Sequence, residues 1–274
     1  MQKIQKPMQT IIFTDTTSTL THKDRGLNYG DGFFTTAKVH NAEVEHWPLH
    51  CARLVECAER LGFDALDITA LTQAVNEYIE NVSLGVLKIV VTRGEGGRGY
   101  ALPEQPQSTI LLSQSSFPLQ YAQQAQHGVK LAVSPIKLAS QPLLAGLKTL
   151  NRLEQVMIKR TMNTQIADDV LVCDYQERVI EASAANIFAI DNGRVVSPNL
   201  KNCGIKGVYL QSLCAKLDIE FVDITLPELL TMDAVYLCNS LMAIVPVTAI
   251  ADTEFDLTTS LKLLHGLLAK ESAC

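Results

Sequence analysis

Three places in this sequence carry residue types suited to covalent or proton chemistry. Lys148 stands in Ala145-Gly146-Leu147-Lys148-Thr149-Leu150, an apolar setting for an amine. Apolar neighbours disfavour the ammonium form and make the nitrogen a better nucleophile and base. Most lysines are solvated surface charges, so the setting alone leaves both readings open. Glu181 opens Glu181-Ala182-Ser183-Ala184-Ala185-Asn186 between two apolar runs. A carboxylate there serves equally as a turn cap or as the partner of a cofactor ring nitrogen, where its charge strengthens an electron sink. Cys203-Gly204-Ile205-Lys206-Gly207 precedes a helical pattern. Free N–H groups at a helix start suit a phosphate, although many helices begin near a glycine.

Two other motifs invite chemistry and fail on context. Residues 94–99 spell G-x-G-x-x-G, but that motif binds a dinucleotide only where it opens a helix. Ala101-Leu102-Pro103-Glu104-Gln105-Pro106 follows instead, so the expectation is a mobile glycine-rich loop between strands. Arg98 and Tyr100 are the residues there equipped to touch a substrate. His46 and His50 have i, i+4 spacing, yet Pro48 lies between them and no Glu precedes the second. A helical zinc pair is therefore not expected, and no metal is assigned.

The elements that must position these residues read as mixed α/β in two lobes. Residues 10–15 form a short apolar strand, and Gly30-Asp31-Gly32 leads into the aromatic and β-branched run 33–39. Pro48 starts an amphipathic helix that stops at Gly62, and a second helix covers 67–80. Buried strands are expected at 86–92 and 109–112. The polar stretch 115–126, rich in Ser and Gln, marks a linker between a small domain, 1–114, and a larger one, 127–274. In the larger domain 129–134 is a strand, Lys148 stands on a loop, and 151–162 is a helix. Strands at 170–173 and 179–180 flank a turn, and Asn192-Gly193 joins a hairpin of 187–190 and 194–197. A helix at 206–217, strands at 219–222 and 234–238, and a helix from 257 complete the chain.

The bulk composition of the 274 residues narrows the function classes. A net charge of −6 without a Lys/Arg-rich run argues against general nucleic-acid binding. No apolar stretch approaches the roughly 20 residues a membrane span needs, and residues 1–10 lack the apolar core of a secretory leader. Seven cysteines without a C-x-x-C pair read as reduced thiols, which points to the cytoplasm.

Four segments in order resemble one known family. They are Arg25-Gly26-Leu27-Asn28-Tyr29-Gly30-Asp31-Gly32-Phe33-Phe34-Thr35-Thr36, Leu49-His50-Cys51-Ala52-Arg53-Leu54, the Lys148 segment, and Val179-Ile180-Glu181 through Asn186-Ile187-Phe188. Together, from about Asp15 to Val247, they resemble the fold-type IV pyridoxal phosphate enzymes, which include branched-chain and D-amino-acid aminotransferases and aminodeoxychorismate lyases. The resemblance implies that Lys148 is the Schiff-base lysine and that Glu181 pairs with the pyridine nitrogen. It implies that Arg53 grips the cofactor phosphate, helped by the N–H groups of Ile205 and Lys206 and by Ser240 with the N–H of Leu241. A homodimer with sites near the subunit interface is also implied, with Arg98 and Tyr100 able to reach the partner's site.

The lyase branch is the nearer match. Arg93 through Tyr100 resembles its R-G-x-G-G-R-G-Y segment, and Gly146 through Gln155 its lysine segment. Cys238-Asn239-Ser240-Leu241-Met242 also resembles that branch, with Ala243 where aminotransferases usually carry Glu. Lys206 stands where aminotransferases often have Thr. The branch implies elimination of pyruvate from aminodeoxychorismate to give 4-aminobenzoate, with Lys148 as the base and Thr36 at a position linked to proton handling. Arg98, Tyr100, Tyr29 and Arg152 are the candidate substrate residues, Arg152 equally readable as a helix-surface partner of Glu154 or Asp168. An aminotransferase on the same fold, needing a keto-acid acceptor, is the alternative.

Overall fold

The computed structural model describes residues 11–14, 20–162 and 167–271. Residues 1–10, Asp15 and Cys274, all mentioned above, lie outside them. The chain divides into two compact units, Met1–Phe117 with Lys148–Asn151, and Pro118–Leu147 with Arg152–Cys274.

The first unit is a five-stranded sheet with helices. Its elements are β1 (Ile11–Thr14), α1 (Arg25–Tyr29), β2 (Gly32–His40), β3 (Glu43–Val44), α2 (Trp47–Arg60), α3 (Ile68–Ile79), β4 (Leu84–Thr92) and β5 (Thr109–Ser115). The strand order is β1-β5-β4-β2-β3. On β2 the alternation is plain: Phe33, Thr35, Ala37 and Val39 are buried, whereas Phe34, Thr36 and Lys38 face the other side and are half-buried. Pro48 sits in the first turn of α2, where its missing N–H costs nothing. The buried stripe of α2 is His50, Arg53, Leu54, Cys57 and Ala58, the spacing of a helix with one face inward. Three of those five, His50, Arg53 and Cys57, are titratable, which already marks the face as more than core. Helix α1, only five residues long, was not apparent from hydrophobic periodicity; Asp24 caps it by accepting from the Leu27 N–H at 3.2 Å.

A buried ionic cluster ties the first unit together. Asp31 accepts from Arg25 Nε at 2.7 Å and from Arg93 Nε at 2.9 Å. Arg93 also donates to the carbonyls of Gly62 and Leu61, each at 2.8 Å, and its guanidinium lies 3.9 Å from the Phe63 ring centroid. One carboxylate thus joins the start of α1, the end of β4 and the corner after α2. Burial works to raise the Asp31 pKa, but the hydrogen bonds from Arg93 and Arg25 outweigh it and hold the carboxyl below its usual range.

The second unit is built on a nine-stranded curled sheet. Its elements are α4 (Gln120–His127), β6 (Val129–Val133), α5 (Leu153–Met162), β7 (Asp169–Cys173), β8 (Val179–Ala182), β9 (Asn186–Asp191), β10 (Arg194–Pro198), α6 (Val208–Cys214), β11 (Ile219–Val222), α7 (Leu226–Leu229), β12 (Ala234–Asn239), β13 (Ala243–Ile250), β14 (Thr253–Glu254) and α8 (Leu257–Glu271). The order is β11-β10-β9-β12-β13-β6-β7-β8, with β14 on β13. Both faces are covered, so the strands read as continuous apolar runs rather than alternating ones. Leu171 and Cys173 enter one core with Ile187, Leu237 and Val245, while Val170 and Val172 enter another with Phe188, Tyr236 and Leu210.

Four features differ from the sequence expectations. The stretch 115–126 is no simple linker, because α4 occupies most of it. Lys148–Asn151 groups with the first unit rather than with the larger domain, and α5 starts at Leu153 rather than at Asn151. Strand β13 was missed; Pro246 lies inside it, and its register with β6 begins only at Val247.

The Asp31 cluster yields a stability prediction. Asp31→Asn leaves two arginines that are 4% and 5% exposed without their counter-charge. We expect a loss of about 3 kcal/mol, the scale for breaking a buried pair by removing one partner. Urea unfolding checks it, and a midpoint equal to wild type would contradict the assigned hub.

Candidate active site

Lys148 is held as part of an extra strand. β3 pairs only with Val39 and His40 of β2, which leaves the first half of that edge open. Residues 148–150 occupy it: the Phe34 N–H donates to the Lys148 carbonyl, the Leu150 N–H donates to the Gly32 carbonyl, both at 2.9 Å, and Phe33 and Thr149 form an antiparallel bridge. Thr149 is buried and Lys148 half-buried, the alternation a strand imposes. The Lys148 Nζ then lies 4.8 Å from the Phe34 ring centroid. Thr36 is two residues along β2 on the face of Phe34. Asn151 closes the segment by donating to the Gly30 carbonyl at 3.2 Å.

The buried stripe of α2 lies against the same region. Cys57 is hydrogen-bonded to the Lys148 backbone, and Arg53 stands one turn before it, 6% exposed. Burial lowers the Arg53 pKa from its usual value. One turn earlier again, His50 is fully buried and its Nδ1 is 2.6 Å from the Thr35 hydroxyl. Its Nε2 is buried without a hydrogen-bond partner. Burial, then the charge of Arg53, pulls the His50 pKa down from 6.5 to about 3, so the ring is neutral at pH 7.

The glycine-rich segment is a loop between β4 and β5, as expected. Its ends are fastened to residues 21–29, among other contacts by the Gly96 N–H on the Lys23 carbonyl at 3.1 Å and the Gly99 N–H on the Tyr29 hydroxyl at 3.2 Å. Tyr29 and Tyr100 meet edge to face at 5.4 Å. Arg98 is exposed, and Tyr100 is 85% exposed. No helix follows, in keeping with the rejected dinucleotide reading.

In the second unit, Glu181 ends up inside. It is 6% exposed, and its Oε2 accepts the Ile205 N–H at 3.0 Å. Gly204, at φ +81°, lets the loop close this tightly: a Cβ there would meet Ile180 Cγ2 at 2.7 Å. Asn186 pins the same loop, donating to the Ile205 carbonyl at 2.7 Å and accepting the Gly207 N–H at 2.8 Å. The Ile205 N–H donates to Glu181, and the Leu241 N–H donates to Asn239 Oδ1 at 2.8 Å in the β12–β13 turn. Lys206 and Ser240 lie on those two loops, Lys206 exposed and Ser240 half-buried. Arg152 donates to the Leu147 carbonyl at 3.3 Å, while Glu154 takes the Ala139 N–H and Asp168 the Lys130 N–H.

Comparison with known proteins decides the family. Residues 32–250 match the family described as Amino-transferase class IV. The aminodeoxychorismate lyase of Vibrio harveyi is 36% identical over 239 residues, 84% of this chain and 87% of that one. The chain belongs to the class IV aminotransferase family. Among solved structures, the 4-amino-4-deoxychorismate lyase from Pseudomonas aeruginosa superposes with a TM-score of 0.86 at 37% identity, covering 92% of this chain and 96% of that one. A D-alanine aminotransferase of Bacillus licheniformis is 26% identical over 83% of this chain and 82% of its own length.

The residues of this class IV chain fit the cofactor that the resemblance implied. A buried carboxylate fixed by a backbone N–H suits a ring N–H, and a deeply buried guanidinium suits a dianion. The Lys148 amine is half-buried over an aromatic face rather than in solvent. Sequence reasoning missed His50 and Thr35 as a pair, although both lie inside quoted segments. The available signal was that His50 and Arg53 are spaced i, i+3 on one helix face.

His50 gives this class IV chain a measurable pH signature. Unfolded, the ring binds a proton below 6.5; folded, only below about 3. Between those values the unfolded state holds the extra proton, so stability falls as pH drops, by up to about 1.4 kcal/mol per unit from this group. Chemical denaturation at pH 6.5, 5.5 and 4.5 should show wild type losing stability faster than His50→Gln. Parallel curves would refute a buried neutral ring.

Proposed function

We propose that the chain is a pyridoxal phosphate-dependent lyase that converts 4-amino-4-deoxychorismate into 4-aminobenzoate and pyruvate. The observation that carries the reading is Lys148, an amine whose backbone is fixed in register on β2 and whose Nζ lies over Phe34. The two lyases at 36% and 37% identity support the branch.

Pyridoxal phosphate, attached to the protein through a lysine, supplies an electron sink for negative charge on the carbon beside a bound amine. Lys148 is the residue proposed to hold it, and once released its Nζ removes the proton from the substrate ring carbon that bears the amine. Glu181 keeps a proton on the cofactor's ring nitrogen, and its own hydrogen bond from Ile205 fixes its orientation. Arg53, with the Ser240 hydroxyl and the Lys206 N–H, holds the phosphate. Thr36, on the face of Phe34, offers a hydroxyl for proton transfer. Cleavage of the carbon–oxygen bond then expels enolpyruvate, which becomes pyruvate, and the ring becomes aromatic. Arg98 and Tyr100, with Tyr29 and Arg152, are proposed for the two substrate carboxylates.

We further propose a homodimer located in the cytoplasm. On α5, Leu153, Val156 and Met157 are exposed at i, i+3, i+4 spacing, an apolar stripe that supports burial against a second subunit. No helix among the described residues is long and apolar enough to cross a membrane, and the six described cysteines are free.

The deciding experiment uses purified protein with added cofactor. An absorbance band of lysine-bound cofactor should be present in wild type and absent in Lys148→Ala. Supplied aminodeoxychorismate should give pyruvate and 4-aminobenzoate in equal amounts. A band with amino transfer from D-alanine to a keto acid, and no 4-aminobenzoate, would select the aminotransferase instead. For the dimer, Met157→Glu should shift light-scattering mass toward half the wild-type value.

A further inference from the structure

We infer that Arg25 is a positioning residue that fixes the Arg98–Tyr100 loop in its substrate-binding shape. The inference rests on the loop's proposed role above. Arg25 is 4% exposed, and its guanidinium donates to one carboxylate and to the loop backbone. Nε bonds Asp31 at 2.7 Å, Nη1 bonds the Ala101 carbonyl at 3.0 Å, and Nη2 bonds the Tyr100 carbonyl at 3.2 Å. Its guanidinium carbon also lies 5.0 Å from the Tyr29 ring centroid. The start of the loop is held differently, by backbone: the Arg25 N–H donates to the Gly94 carbonyl at 2.9 Å. Arg98 falls between these two anchored stretches.

The glycine at position 96 belongs to the same device. A Cβ there would come within 2.8 Å of Arg25 Cδ and 2.9 Å of Cγ, so the arginine stem runs directly beneath the loop. Asp31 is shared by Arg25 and Arg93, Glu95 accepts from the Thr21 hydroxyl at 2.6 Å, and Arg98 is the exposed cation of the loop. A loop ordered before substrate arrives binds a dicarboxylate without having to be ordered by it. Because these contacts lie away from the bond that breaks, they act on substrate affinity more than on turnover.

Lysine cannot span the carboxylate and two carbonyls, so Arg25→Lys keeps the charge and loses the fork. On the holoenzyme we expect KM for aminodeoxychorismate to rise about tenfold, the scale of one or two hydrogen bonds to a charged group. Turnover should stay within about twofold and cofactor affinity should not change. Trypsin cleavage after Arg98, followed without substrate, should accelerate. Gly96→Ala, which keeps both Arg25 and Asp31 but crowds the arginine stem, should move KM and cleavage in the same direction and guards against a misfolded Arg25→Lys. Unchanged KM and unchanged cleavage in both variants overturn the inference. So does a joint loss of turnover and cofactor binding, which would make Arg25 a general structural residue. Faster cleavage in variants of a protein that forms no 4-aminobenzoate would sustain Arg25's hold on the loop and overturn the lyase reading instead.

Discussion

The geometry around Lys148 depends on one constraint, the half-covered edge of β2. A two-residue β3 leaves the backbone groups of Gly32 and Phe34 unpaired by any neighbouring strand on that side, and residues 148–150 satisfy them. An open sheet edge is ordinarily a liability, a template for unwanted pairing. Here it fixes the register of a functional segment. Side chains alternate along a strand, so a slip by one residue would put Thr149 over Phe34 and bury the amine of Lys148. Leu147 and Thr149, each 1% exposed, resist that slip from both sides. The lysine gains a defined position without being placed in a regular strand or helix, and keeps a long flexible side chain for proton transfer.

The same unit concentrates its buried polar groups around this segment. Arg25, Asp31 and Arg93 lie next to Gly30-Gly32, where β2 begins, and Thr35, His50 and Arg53 face one another across β2 and α2. Buried charge is costly unless paired, and here pairing differs between the two groups. The Asp31 cluster is densely bonded: both arginines donate to the carboxylate and each also donates to backbone carbonyls. The α2 stripe is not, since His50 Nε2 has no partner. A densely bonded cluster gives rigidity, whereas an open donor or acceptor beside a buried arginine is what a ligand oxygen would complete.

How far the sequence could be read follows from the range of the forces involved. Alternation on β2, the proline start of α2 and the Asn192-Gly193 hairpin are local signals, and each element lies within a few residues of its expected place. Lys148, Glu181 and Arg53 were named through four short segments in family order, since no single segment carries enough chemistry. What escaped was long-range. The link between Phe34 and Lys148 spans more than a hundred positions, and neither sequence stretch advertises its partner. The bonds from the Ile205 N–H to Glu181 and from the Leu241 N–H to Asn239 escaped for a related reason: a backbone N–H carries no sign in sequence of the partner the fold gives it.

Glycine offers the clearest instance of one residue type meaning opposite things. In G-x-G-x-x-G the sequence advertises flexibility, yet Gly96 is required because an arginine stem passes beneath it. Gly204 is required because Glu181 must reach the Ile205 N–H past Ile180 and Leu200. In both places the missing side chain buys close approach and therefore rigidity, not motion. Each glycine sits against one ionisable side chain, Arg25 or Glu181, and each of those side chains then orients a loop through backbone groups. A carboxylate or guanidinium that spends its hydrogen bonds on backbone has one orientation rather than several, and a charge with one orientation can favour a single protonation state or a single substrate pose.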